Sequence, residues 1–169
     1  MPTPQPATPL HYRIEPADLH AHLFHVTLTI AQPAAQQRVA LPVWIPGSYM
    51  VREFAKNLQN LRATQGRRSV LVQQLDKATW QVDATPGKPL VLTYAVYALD
   101  NSVRTAWLDA SRGFFNGTSL CLQVAGQETL PHTLELVSTR ATAAWHVATG
   151  LPTVATDTRG FGSYVADDY

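Results

Sequence analysis

Apolar and polar residues alternate along much of the chain. The period of two is clearest between Leu19 and Ala31, where Phe24, Val26, Leu28 and Ile30 share one face and His25, Thr27 and Thr29 the other. That alternation predicts a half-buried β-strand. Gln32 to Gln37 supplies a turn, after which Val39, Leu41 and Val43 alternate back, so the two segments read as an antiparallel pair. Leu58 to Thr64 and Val70 to Gln74 flank Gly66 as a second hairpin, and Thr79 to Val82 is a short strand closed by Thr85-Pro86-Gly87. Leu90 to Leu99 is the most apolar run; its length and β-rich content predict a central strand covered on both faces, with a helix as the alternative. Thr118 to Val124, Thr133 to Val137 and Trp145 to Ala148 resume the short strands. Thr142 to Ala144 is marginally helical, and the ending Phe161 to Tyr169 is apolar enough to pack. This succession of short strands, with no long amphipathic helix, predicts an all-β fold: an antiparallel β-sandwich or a saddle-like pair of twisted sheets, with little helix.

Two interruptions of the alternation stand out. In Leu41 to Pro46, two prolines fix φ and remove backbone donors, which suits an edge strand and excludes a helix or a fully paired strand. Pro46-Gly47 then predicts a turn, because proline presets the first turn position and glycine tolerates a positive φ at the next. Arg52 and Glu53, adjacent on an extended chain, face opposite sides, so one is directed either at a partner surface or at an edge where charge discourages strand pairing. The second interruption, Asp100 to Gly117, reads as a long loop that gathers Asp100, Asn101, Arg104, Asp109, Arg112 and Asn116 with Trp107, Phe114 and Phe115. Aimed polar groups over an apolar floor are the mixture that clefts use; the alternative is a long loop whose charges are simply solvated.

With 169 residues and 18.6 kDa, the chain is the size of one domain, expected over residues 10–169 behind a flexible proline-rich tail at residues 1–9. Charged residues make up only 15% against 46% hydrophobic, which favours a folded chain. No apolar run approaches the roughly 20 residues of a membrane span. A net charge of +1 gives no field to recruit nucleic acid or an anionic membrane, and Arg62, Arg67 and Arg68 fit a solvated hairpin turn. One cysteine, Cys121, allows no internal disulfide, and the N-terminus carries no signal-peptide pattern, so the expected compartment is the cytoplasm.

Zinc peptidase chemistry of the His-Glu-x-x-His type requires two histidines one helical turn apart and a glutamate beside the first. Of the six histidines (His11, His20, His22, His25, His132 and His146), none precedes a glutamate, so no catalytic residue and no metal ligand is assigned. On a strand, His20 and His22 would share a face and His25 oppose it, which prevents convergence on one ion. Cys121 lies in apolar sequence without a basic neighbour and reads as a buried thiol. Ser48 and Ser119 lack a nucleophile-elbow setting, and Asn116-Gly117-Thr118 is a chance glycosylation match in a chain that is not exported.

Trp44-Ile45-Pro46-Gly47-Ser48-Tyr49, with Arg52, Phe54 and Ala55-Lys56-Asn57 after it, resembles the opening domain of the glycyl aminopeptidase family, zinc metallopeptidases of the gluzincin type with a PDZ module behind the catalytic domain. The likeness continues in Tyr94 to Ala98, Ser102 to Asp109 and Arg112 to Gly117. It implies a noncatalytic N-terminal domain that docks on its own catalytic domain and helps shape the cleft receiving the N-terminus of a peptide substrate. Zinc would belong to that catalytic domain, lying beyond Tyr169 or missing from the gene product. By the same resemblance, Asp109 or Asn116 would contact the peptide amine, Arg104 and Arg112 would pin the loop, and Trp44, Tyr49, Arg52 and Phe54 would form an interdomain or structural corner. Isolated, a bare docking face would drive artificial homodimers. The alternatives are a freestanding β-sandwich module that uses Trp44, Trp107 and nearby tyrosines as a platform for a sugar or extended peptide, and a purely structural domain.

Overall fold

In the computed structural model, which describes residues 10–169, fourteen strands are present among the described residues. They are β1 (Leu10–Asp18), β2 (Leu23–Ile30), β3 (Gln36–Ala40), β4 (Leu58–Gln65), β5 (Arg68–Val70), β6 (Val72–Gln74) and β7 (Thr79–Asp83). There follow β8 (Leu90–Tyr97), β9 (Ala106–Leu108), β10 (Gly113–Phe115), β11 (Gln123–Val124), β12 (His132–Leu136), β13 (Thr153–Thr156) and β14 (Gly162–Ala166), with one short helix, α1 (Gly117–Leu120). The expected tail at residues 1–9 lies outside the described residues.

An eight-stranded sheet runs in the order β13-β14-β12-β1-β2-β8-β4-β5, and a four-stranded sheet in the order β11-β3-β7-β6. Ladders are antiparallel except β1 with β12, which is parallel. Strand period places Tyr164, Leu134, Tyr12, Leu28, Leu92 and Ala63 in register across six strands of the large sheet. From Leu134 to Ala63 this row meets the same core as Val39, Trp80, Val82 and Val124 of the small sheet, as expected of a sandwich. Toward β12 the cover thins: Leu134 and Leu136 are only half-buried and β13 is exposed throughout. The uncovered part of that inner face is where the cleft described below lies. No helix among the described residues is long and apolar enough to cross a membrane.

Several expected elements differ. Residues 10–18, given no element above, form β1, with Leu10, Tyr12 and Ile14 buried. The segment from Leu19 turns before β2 begins at Leu23, so His20 and His22 are not on a strand. Leu41 to Pro46 is not an edge strand: Leu41 N–H still donates to Ala78 O at 3.0 Å, but Pro42 removes the next donor and the ladder stops at Ala40. β8 is central as expected, between β2 and β4, yet Thr93 and Tyr97 are exposed, so its second face is not fully covered. The long loop contains the β9–β10 hairpin, and Thr118 to Val124 is split into α1 and β11. Trp145 to Ala148 forms no strand, and the helical tendency near Thr142 is realised as a 3₁₀ turn at Arg140–Thr142.

Three tyrosines explain the split of Thr118 to Val124. Tyr94, Tyr169 and Tyr12 donate hydroxyl hydrogens to the consecutive carbonyls of Leu120, Cys121 and Leu122, each at 2.7 Å. Carbonyls claimed in this way are not available for a strand ladder, so the chain crosses the core as a clamped connection.

Candidate functional site

The corner that follows β3 is held by its own hydrogen bonds. Ser48 N–H donates to Ile45 O at 3.1 Å, closing a turn with Pro46 and Gly47 in the middle. Gly47 has φ +78°, the left-handed value that a type II turn requires of its third residue. Trp44 Nε1 donates to Ser48 O at 2.7 Å, Arg52 Nε donates to Ser48 Oγ at 3.0 Å, and Arg52 N–H donates to Val43 O at 2.5 Å. Ser48 is thus a buried hub, and Phe54, 4% exposed, anchors the corner in the core. Outward, Trp44, Met50 and Val51 are more than half exposed, and Tyr49 is fully exposed.

The hairpin β9–β10 carries the other candidate residues at its two ends. At its turn, Asp109 Oδ1 accepts hydrogen bonds from Ser111 N–H (2.7 Å), Ser111 Oγ (2.7 Å) and Arg112 N–H (2.9 Å), and Oδ2 accepts from Trp107 Nε1 at 3.0 Å. The Ser111 hydroxyl and N–H, with Arg112 N–H and Trp107, hold this carboxyl far below the usual carboxylate range. Arg112 stacks over Trp107 at 5.4 Å and donates to Asn101 Oδ1 at 2.7 Å, pinning the preceding segment. At the opposite end, Asn116 Nδ2 donates to Val103 O at 2.6 Å. Arg104 Nη2 donates to Gly47 O at 3.4 Å. This last bond brings together two stretches that the sequence shows as separate, the corner and the long loop. Asp109 and Arg112 sit at the other end of the hairpin, with the three-residue strands β9 and β10 between them and this junction.

Beside this junction lies a cleft of about 780 Å³. Ile45, Pro46 and residues 113–118 border it, Ile14, Leu134 and Leu136 floor it, and residues 145–149 close the far side with Ala166, Asp168 and Tyr169. Asn116 is at its edge, and Asn116 Oδ1 has no partner among the described residues. Sequence reasoning missed Tyr12, His132, Trp145 and Tyr169, which shape the cleft. The alternation Leu10, Tyr12, Ile14 was the available signal for the first; the others give no local one. His132 Nδ1 lies 2.6 Å from Leu130 O, which makes Nδ1 the protonated nitrogen. Its ring stacks on Tyr12 with centroids 5.8 Å apart, and Nε2 is shut from solvent without a partner among the described residues. Burial lowers the pKa of His132, the neutral form being the one this setting favours.

The residues do not fit a metal. Among the described residues no group of three or more His, Cys, Asp and Glu side chains could hold an ion. The histidines closest in sequence are separated by function: Asp18 Oδ1 caps the His20 and Ala21 N–H groups, His22 Nδ1 bonds Leu108 O at 2.6 Å, and His25 is exposed on β2. Burial pushes the Cys121 thiol up to about 12, which removes it as a nucleophile. Ser119 Oγ is within hydrogen-bond reach of Thr105 O and Asn116 O, and Ser48 is spent in the corner.

The family model described as the Peptidase M61 N-terminal domain matches residues 11–169. Among solved structures, an aminopeptidase N family protein from Idiomarina loihiensis matches with 45% identity and a TM-score of 0.91, over 95% of this chain and 27% of that one. An M1 zinc metallopeptidase from Deinococcus radiodurans matches with 16% identity and a TM-score of 0.46, over 92% of this chain and 36% of that one. No curated protein matches the chain. The chain thus spans about a quarter of the length of the Idiomarina protein.

Proposed function

The chain belongs to the Peptidase M61 N-terminal domain family, and on that premise we propose that it is the noncatalytic N-terminal domain of a zinc aminopeptidase, docked on the catalytic domain and forming part of its substrate cleft. The observation that carries this reading is the Arg104–Gly47 bond, which joins an exposed aromatic corner to a polar loop at the rim of an open apolar cleft. A surface this apolar and this well braced suits contact with another domain.

In this reading the parent is an enzyme of the glycyl aminopeptidase kind, cytoplasmic, with a PDZ module, and its zinc sits in the downstream domain. The Arg104–Asn116 end of the hairpin borders the path of the peptide. Asn116 Oδ1 is the better placed acceptor for a peptide ammonium, since the Asp109 carboxylate is already filled within its own turn. Arg104 and Arg112 brace the segment between them.

The test is kcat/KM of the parent enzyme for dipeptide-like substrates. Asn116→Ala is expected to lower it roughly tenfold, mainly through KM, for loss of one hydrogen bond to a charged group. Asp109→Ala acts indirectly, by loosening the hairpin. Unchanged values for both variants would refute the cleft role.

The exposure of both Trp44 and Tyr49 in one corner favours a second reading, a binding platform for a sugar or an extended peptide. Trp fluorescence of the isolated chain that responds to glycans would support it over docking.

A further inference from the structure

We propose that the cleft floored by Ile14, Leu134 and Leu136 is the seat of an uncharged apolar segment of the domain that follows in the parent chain. The proposal rests on the reading of this chain as an N-terminal peptidase domain and names which of its surfaces does the docking.

The chemistry of the lining selects the occupant. Leu134, Leu136, Phe115 and Trp145 are each only half-buried, so apolar area is left facing the cleft that a docked side chain would remove from water. Asp168 is the only Asp, Glu, Lys or Arg among the described lining residues, so a charged segment would find little to offset its desolvation. The tyrosine hydroxyls that approach the cleft are turned inward to the carbonyls of Cys121 and Leu122. From these tyrosines, ring surface and not hydroxyl groups is left toward an incoming segment.

Geometry selects the source. Ala166, Asp168 and Tyr169 form one wall, and Tyr169 is fixed there twice, through its hydroxyl to Cys121 O at 2.7 Å and its N–H to Glu128 O at 2.8 Å. Any continuation after Tyr169 leaves from the rim of the cleft. A relative of 45% identity has 73% of its length outside the matched part. A domain tethered at the rim reaches the cleft at high effective concentration, so even a modest apolar contact would be occupied.

Cysteine labelling tests this in the parent protein, with a maleimide as probe and each site read by mass spectrometry. Thr149→Cys lies on the exposed rim of the cleft, Val51→Cys on the corner and Lys88→Cys on an exposed loop outside both. Native Cys121 is buried and inert. All three engineered thiols are expected to label freely in the 169-residue chain, since all three positions are exposed. In the parent, Thr149→Cys is expected to label at least about tenfold more slowly than Lys88→Cys, because reaction requires the docked segment to open. If Thr149→Cys keeps its rate while Val51→Cys slows, docking uses the corner; the cleft assignment falls and the domain reading stands. If all three keep their rates, both fall.

Discussion

Tyr169 donates its hydroxyl hydrogen to the carbonyl oxygen of Cys121 at 2.7 Å, 48 residues back in the chain, and so ties the last residue to the connection between α1 and β11. Tyr94 and Tyr12 take the carbonyls on either side. Burial raises the pKa of all three phenols far above the ordinary tyrosine value, so they stay protonated donors across any usable pH.

Tyr169→Phe keeps the ring and removes this bond, leaving the Cys121 carbonyl unsatisfied. The expected cost is about 1–3 kcal/mol, a fall in Tm of several degrees for a domain of this size. Thermal unfolding followed by circular dichroism checks it; an unchanged Tm would mean that the clamp contributes nothing.

Gly47→Ala tests the corner. No atom lies within 4 Å of the added Cβ, so the cost is conformational and comes from φ +78° alone. A loss of about 1–2 kcal/mol is expected. Because Gly47 O receives Arg104, the variant should also make Trp44 and Trp107 more accessible to acrylamide.

The pH dependence of stability should carry the signature of His132. Its folded pKa is lowered from the ordinary 6.5 chiefly by burial, so between the folded and unfolded values the unfolded chain binds more protons. The stabilisation is fully present above pH 6.5 and is lost as pH falls through the folded value. His132→Asn can keep a donor toward Leu130 O without a titrating ring. The gap in Tm between wild type and variant should narrow on acidification, and a gap constant with pH would contradict this.

The class of fold was legible because strands announce themselves through period two, as Phe24, Val26, Leu28 and Ile30 do, all buried. The corner turn was legible because Pro46-Gly47 carries its own dihedral preference. Leu10 to Ile14 was missed although its period is strict, since His11, Arg13 and Glu15 are half-buried charged or titratable groups that resemble loop residues in sequence. The β9–β10 strands are three residues each, too short to show a period. Thr118 to Val124 alternates like a strand, but hydroxyls from Tyr12, 110 residues away, and Tyr94, 26 away, claim its carbonyls. The cleft is built in the same way from residues far apart in sequence, and no local pattern reports such a meeting. The corner and the loop were each visible; the Arg104–Gly47 bond between them was not.

On the proposed function, the chemistry of the parent enzyme belongs to a neighbouring domain. Zinc-dependent aminopeptidase activity of the purified 169-residue chain, assayed beside the parent with and without a chelator, tests it most directly. Hydrolysis is expected from the parent and none from this chain at any zinc concentration. Chelator-sensitive hydrolysis by this chain alone would contradict it.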